Sequence, residues 1–359
     1  MVTILHAADL HLDSPFAGLS PELAARRRGE QRLLLEDLAD LARKEKVDLV
    51  LLSGDILDSE HVYRTTAQAL VQTLGEIPCP VFLAPGNHDP YTPYSLYATL
   101  SWPENVHIFS DHVEKVSLPD LNCVVYGYGF ASSALETSPL EGFRVEDPDR
   151  INLMCLHGDL SPNSPYGPIS ESQIAASGLT YLALGHIHKA SGLRRAGDTY
   201  WAYPGCPQGR GFDETGEKGV LLVRAEPGQV SADFVPLCRH RYERLTIDLT
   251  GKDPAAALRA ELPAPSRNIA CRVELAGECE GLDLPALQAR FGGDYAALRL
   301  KDRTRLPRNL WERRGEDNLT GAFLSKLWEA CQADPDNETL QLAARFALAA
   351  LEGEEDPAL

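Results

Sequence analysis

The sequence predicts an α/β protein: two β-sheets packed face to face with helices outside, then a small α+β unit and a short helical C-terminal segment. Three observations carry that expectation. Short apolar runs alternate with helical patterns at the start, a strand-rich stretch follows, and near residue 237 the pattern resets to strand, helix, strand. The corresponding boundaries are 1–238, 239–304 and 305–359.

Each element has its own signal. VTILHAA (2–8) is apolar without alternation, as in a strand buried on both faces, and LAARRRGEQRLLLEDLADLARKEK (23–46) has the amphipathic period of a helix. DLVLLSG (48–54) and PVFLAPG (80–86) are further buried strands, with a helix over 62–75 between them. NCVVYGY, INLMCLHG, YLALGH, TYWAYPG, GVLLVRA and SADFVPL extend the strand count. Beyond residue 240 the order is strand, helix, strand, helix, strand, and the end reads as two helices parted by DPDN. No internal repeat has a solenoid or propeller period.

Composition removes whole classes of function. Of 359 residues, 44% are hydrophobic and 24% charged, which is ordinary globular usage. There is no run of about 18 apolar residues to span a membrane, and the first residues lack the basic, then apolar, pattern of a signal peptide. The eight cysteines form no C-x-x-C pair, so neither a disulfide framework nor a zinc ribbon is expected. A soluble protein of the reducing cytoplasm is the expectation. Net charge is −18, divided −13 before residue 240 and −5 after it. That argues against gripping nucleic acid over the whole surface, yet leaves room for an enzyme that neutralises phosphate with cations. A local exception is 299–314, RLKDRTRLPRNLWERR, with seven basic and two acidic residues.

The chemistry lies in five clusters, each directly after an apolar run. They are Asp9-Leu10-His11, Gly54-Asp55-Ile56-Leu57-Asp58, Gly86-Asn87-His88-Asp89, His157-Gly158 and Gly185-His186-Ile187-His188. Ligands of an α/β sheet collect at the carboxyl ends of its strands. Carboxylates, an amide oxygen and imidazoles suit Mn²⁺, Fe²⁺ or Zn²⁺. Two such ions about 3.5–4 Å apart clamp the attacking and leaving oxygens of a phosphoryl displacement, with one carboxylate, here Asp55, as the natural bridge.

The ordered series DLH, GDILD, GNHD, LHG and GHIH resembles the calcineurin-like metallophosphoesterase superfamily, whose fold is a double β-sheet sandwich flanked by helices. That resemblance puts Asp9, His11, Asp55 and His188 on one metal and Asp55, Asn87, His157 and His186 on the other. His88 would then face the scissile phosphate as acid or transition-state stabiliser, with Asp89 orienting it. HAADLHLDSPFAGL, ALGHIHK and YPGCPQGRGFDETGEKGVLLV further resemble the SbcD-type DNA repair exonucleases and, among them, the bacterial YhaO branch. The resemblance implies a manganese-dependent phosphodiesterase that cuts DNA, carries a capping domain after residue 240 and pairs with an SMC-like coiled-coil ATPase. It also implies a homodimer through helices such as 62–75 or 91–101, with the basic stretch and terminal helices available for DNA or the ATPase. Arg210 lies in a loop that this family holds near the active site, where it would meet phosphate. Protein Ser/Thr phosphatases of the superfamily continue the second motif with Arg-Gly and end the third in Glu. Here Ser59-Glu60 and Asp89 stand in those places.

The other candidates carry blander readings. A phosphodiesterase of small nucleotides fits the acidic charge, and a scaffold for the ATPase fits the tail. His6 has the opposite strand parity to the ligands and is expected to be packed; His61, His107, His112 and His240 lack ligand spacing. Asp13 either supports the ligands or caps a loop, and Asp58 supports rather than ligates. Arg26, Arg27 and Arg28 are expected on a solvated helix face, and Trp201 and Tyr203 in the core.

Overall fold

The computed structural model describes residues 1–305, 311, 313–334 and scattered positions from 337 to 350. The chain divides into two compact units, Met1–Arg239 and His240–Leu359.

The first unit holds two six-stranded sheets. Strands β1 (Val2–Ala7), β2 (Leu49–Leu52), β3 (Val81–Leu83) and β4 (Val106–Ile108) run parallel side by side. Two antiparallel strands, β11 (Gly219–Glu226) and β12 (Gln229–Pro236), extend that sheet, giving the order β12-β11-β1-β2-β3-β4. The second sheet has the order β5-β6-β7-β8-β10-β9, from Glu114–Leu118, Cys123–Tyr128, Ile151–His157, Tyr181–Gly185, Thr199–Ala202 and Arg194–Ala196 respectively.

The continuous apolar runs arise because alternate residues are buried on opposite faces. Val2, Ile4, Leu49 and Leu51 join Cys123, Val125, Leu153 and Tyr181 in the layer between the sheets. Leu5, Ala7, Val50 and Leu52 point the other way, into a second core with Leu35 and Leu38 of α1 (Pro21–Glu45) and Leu70 and Leu74 of α2 (Arg64–Gly75). A third core covers the far side of the second sheet, where α4 (Glu171–Ser177) contributes Ile174. The outer helices are delimited by side chains. Ser20 caps α1 at the Leu23 amide before Pro21, and α1 stops at Lys46 in the left-handed region. Ser170 and Gln173 form a capping box at α4.

The second unit runs β13 (Arg241–Asp248), α5 (Pro254–Glu261), β14 (Ser266–Ala276), α6 (Leu284–Phe291), β15 (Tyr295–Asp302). Its three strands are parallel in the order β13-β14-β15, around a core that includes Ile247, Leu258, Val273, Leu275 and Phe291. Helix α7 (Leu319–Ala333) follows, capped by Asn318 at the Gly321 amide. Part of the basic stretch (306–310 and 312) and most of the second expected terminal helix lie outside the described residues.

Several expectations change in detail. The region 91–101 contains only a one-turn helix, α3 (Leu96–Thr99). Strands β4, β5 and β9 add to the expected set; β5 and β9 lie at sheet edges, and β4 and β9 are three residues each. Arg27 is not on a solvated face: it is buried, with its guanidinium 2.5 Å from Glu30. None of the eight cysteines forms a disulfide, and among the described residues no helix is long and apolar enough to cross a membrane.

Candidate metal centre

Parallel strands end on the same side, so β1, β2 and β3 of one sheet and β7 and β8 of the other deliver their following loops to one place. The loops after β1 and β2 continue side by side beyond the strands. The Asp9 amide donates to Gly54 O, His11 to Asp55 O and Leu12 to Ile56 O at 2.9–3.0 Å. The loop after β8 joins them, because the His186 amide donates to both Asp9 carboxylate oxygens at 3.0 and 3.2 Å. Holding side chains inward from these bends requires unusual backbone: Asp9, His11, Asp55 and His186 all have positive φ (55°, 46°, 50° and 107°). Non-glycine residues rarely adopt such angles, and cost of order 1–3 kcal/mol each when they do. Two glycines allow the close approach. A Cβ on Gly185 would lie 1.8 Å from Ser53 O, and one on Gly86 would lie 2.2 Å from Asp55 Oδ1.

Asp55 stands at the centre. Its Oδ2 is 3.7 Å from His11 Nε2 and 3.5 Å from His157 Nε2. On one side His11 Nε2 faces His188 Nε2 at 3.1 Å, and Asp9, His11 and His188 bring ligand atoms within 4.8 Å of one another. On the other side His157 Nε2 is 2.9 Å from Asn87 Oδ1, and Asp9, Asp55 and His157 form a second such group. The His186 ring lies 5.2 Å from the His157 ring, while its Nε2 is 3.8 Å from Asp159 Oδ2.

The donor set fits divalent cations. His157 Nδ1 lies 3.0 Å from Ser53 O, which only accepts, so Nδ1 carries the proton and Nε2 presents its lone pair inward. His188 Nδ1 is likewise held by Glu214 Oε1 at 2.6 Å. His11 Nδ1 lies 3.2 Å from Asp58 Oδ1, which leaves its Nε2 facing inward. Burial lowers His11 and His186 to about 4 and also lowers His157, so these imidazoles stay neutral, as metal ligands must. Burial and the neighbouring Asp55 raise Asp9 well above the usual carboxylate range. Burial would raise Asp55 too, but His157 and His11 outweigh it and hold this carboxyl low. Two carboxylates buried this close are costly without positive charge between them.

The remaining candidates fall into supporting places. Asp58 accepts from Ser14 Oγ (2.9 Å) and pairs with Arg210 (2.8 Å) behind His11. Asp13 points away from the ligands and anchors the start of α2, accepting from the Tyr63 amide and Thr66 Oγ1, both at 2.8 Å. His6 is fully buried between Tyr181 and Ser53, and Trp201 and Tyr203 are core residues.

One expected role needs correction, and another residue makes unexpected contacts. Asp89 does not orient His88. Its oxygens accept from the Gly86 and Leu57 amides and the Tyr97 hydroxyl, which pins the third loop to the second. The His88 ring is instead held at Nδ1 by the Asp58 carbonyl (3.0 Å), edge-on to His11 at the exposed mouth of the site. Arg210 makes contacts the sequence did not predict. Its guanidinium is committed to Asp58 and, at 3.0 Å, to Glu214, so it braces the groups behind His11 and His188.

The residues missed from the sequence are Glu214 and Asp159. Burial would raise the Glu214 carboxyl, but its hydrogen bonds with His188 and Arg210 outweigh that and hold it far below the usual range. Its spacing of four from Arg210 is the signal the sequence offers, and Asp159 directly follows the His157-Gly158 pair.

The sequence matches the family described as calcineurin-like phosphoesterase over residues 2–190. It is 35% identical over 275 residues to the uncharacterized metallophosphoesterase YhaO of Bacillus subtilis (strain 168), covering 72% of this chain and 65% of that protein. It is 24% identical over 272 residues to the SbcD component of the SbcCD nuclease of the same organism (63% and 67% covered). To the DNA double-strand break repair protein Mre11 of Aeropyrum pernix it is 27% identical over 280 residues (69% and 64%). The matches thus span about two thirds of each relative's length. With the match running from the first strand through the last histidine of the site, the chain belongs to the calcineurin-like phosphoesterase family.

Proposed function

We propose that this protein is a two-metal phosphodiesterase that cuts DNA beside an SMC-like coiled-coil ATPase. The observation that supports the two-cation reading is the position of Asp55 Oδ2, 3.5–3.7 Å from inward-facing nitrogens of two separate ligand groups. In this reading Asp9, His11, Asp55 and His188 hold one cation and Asp55, Asn87, His157 and His186 the other. Manganese is the first choice, and Fe²⁺ or Zn²⁺ suit the same nitrogen and oxygen donors. Such a pair supplies Lewis acidity and an acidified water for attack on phosphorus.

The protein's own groups do the rest. Ser53 O and Glu214 fix the imidazole tautomers, so the ligand lone pairs are set before substrate arrives. Asn87, with its amide NH₂ available beyond Oδ1, holds a non-bridging phosphate oxygen. His88 donates Nδ1–H to Asp58 O, which turns Nε2 toward the mouth of the site. With a second proton on Nε2 it would stabilise or protonate the departing sugar oxygen there.

The DNA substrate and the ATPase partner are supported by the likeness to SbcD and Mre11. Residues 305–359 would dock the ATPase. A second reading, hydrolysis of small nucleotide diesters, is favoured by the −18 charge. The deciding experiment incubates full-length protein and Mn²⁺ with linear duplex DNA, single-stranded DNA and a chromogenic diester. Cleavage of DNA, lost in Asp55→Ala and His88→Ala, supports the proposal. Hydrolysis of the diester alone, with DNA affinity independent of salt, selects the second reading. Activity undiminished by either substitution refutes both.

A further inference from the structure

Beside the metal centre, a cavity of about 690 Å³ is lined by Asp13, Arg28, Asp58, Glu60, His61 and Tyr63, among others. That volume lies in the range of small-molecule sites. It shares a wall with the catalytic chemistry: Asp58 faces it, and the same residue holds His88 through its carbonyl and lies behind His11 through its carboxylate. Two features point to the ligand. The Tyr63 side chain stands at the N-cap of α2 and is 58% exposed, a large apolar ring left in solvent. Its backbone is nonetheless fixed, since Asp13 accepts from the Tyr63 amide. The Arg28 guanidinium sits 5.5 Å from the Tyr63 ring centroid and donates to Pro15 O, with no carboxylate partner among the described residues.

The charge pattern decides which part of a nucleotide belongs here. Asp13 and Asp58 line the cavity but spend their carboxylates on the Tyr63 amide and Thr66 and on Ser14 and Arg210, so the exposed Glu60 stands opposite one guanidinium, which does not favour a second phosphate. A flat neutral heterocycle needs no counter-charge, stacks on a ring and a guanidinium, and offers an amino group to Glu60. We infer that this cavity seats the base of the nucleotide next to the scissile phosphate, with Tyr63 and Arg28 as its stacking platform. Tyr63 is then a specificity residue, and the inference rests on the phosphodiesterase reading above.

Two substrates with one leaving group test it. Thymidine 5′-(p-nitrophenyl phosphate) carries a base, and methyl p-nitrophenyl phosphate does not. With full-length protein and Mn²⁺, the ratio of kcat/KM for the first over the second should fall about tenfold in Tyr63→Ala, the size expected for one lost base–aromatic stack. The loss should lie in KM, and Tyr63→Phe should retain the wild-type ratio. An unchanged ratio in Tyr63→Ala, with both esters still hydrolysed, overturns the platform and leaves the phosphodiesterase standing. Wild-type protein that hydrolyses neither ester overturns both.

Discussion

Lowering the pH should destabilise this protein through one residue outside the metal centre. His6, on β1, is fully buried between the sheets, with Nδ1 2.8 Å from the Tyr181 hydroxyl and Nε2 3.3 Å from Ser53 Oγ. Burial lowers its pKa from 6.5 to about 3, against a smaller opposing effect of the Leu184 backbone. In the unfolded chain the imidazole takes a proton below about 6.5, and in the native protein it does not. The stability this residue allows is therefore complete above pH 6.5 and is lost as pH falls toward 3. Between pH 8 and pH 5 the loss integrates to about 2 kcal/mol. Other buried imidazoles act in the same direction, so the effect is isolated by difference. Urea unfolding of wild type and His6→Gln, both in chelator, should show wild type losing about 2 kcal/mol more than the variant over that range. Parallel stability curves would refute the argument, since they would mean that His6 binds its proton equally in both states.

Two further outcomes follow from the site. Glu214→Gln keeps the shape but weakens the acceptor behind His188, so Mn²⁺ affinity measured by calorimetry should fall about 10–100-fold while the apo protein stays folded. Gly185→Ala places a Cβ against the Ser53 carbonyl, which as backbone cannot give way. It should cost about 3 kcal/mol or more in urea unfolding, and a loss below about 1 kcal/mol would show that the two sheets part more easily there than the contact implies.

What can be read in the sequence follows from how local its cause is. Buried strands such as β1 and β2 announce themselves because both faces are apolar, and the five ligand clusters because each directly follows such a strand. Strands β4 and β9 have three residues each, too few to show a period, and β5 alternates but is only half-buried, with Val116 and Leu118 as its apolar residues. The position of Asp89 is legible but its partners are not: nothing in GNHD says that the carboxylate turns toward Leu57 and Tyr97 instead of the adjacent histidine. Arg210 escapes a local reading in part for the same reason: Glu214 is four residues on, but Asp58, which takes an Nη1 donor, is 152 residues away in the chain. Glu214 acts only through the fold that brings it to His188.

The positive φ angles at Asp9, His11, Asp55 and His186 have a consequence for anyone wishing to transplant this chemistry. Copying the seven side chains onto the regular strand ends of another scaffold would aim them outward, because their direction is written in the bends of the main chain. The unit to be grafted is the set of kinked loops, together with the inter-sheet seam that keeps them from relaxing.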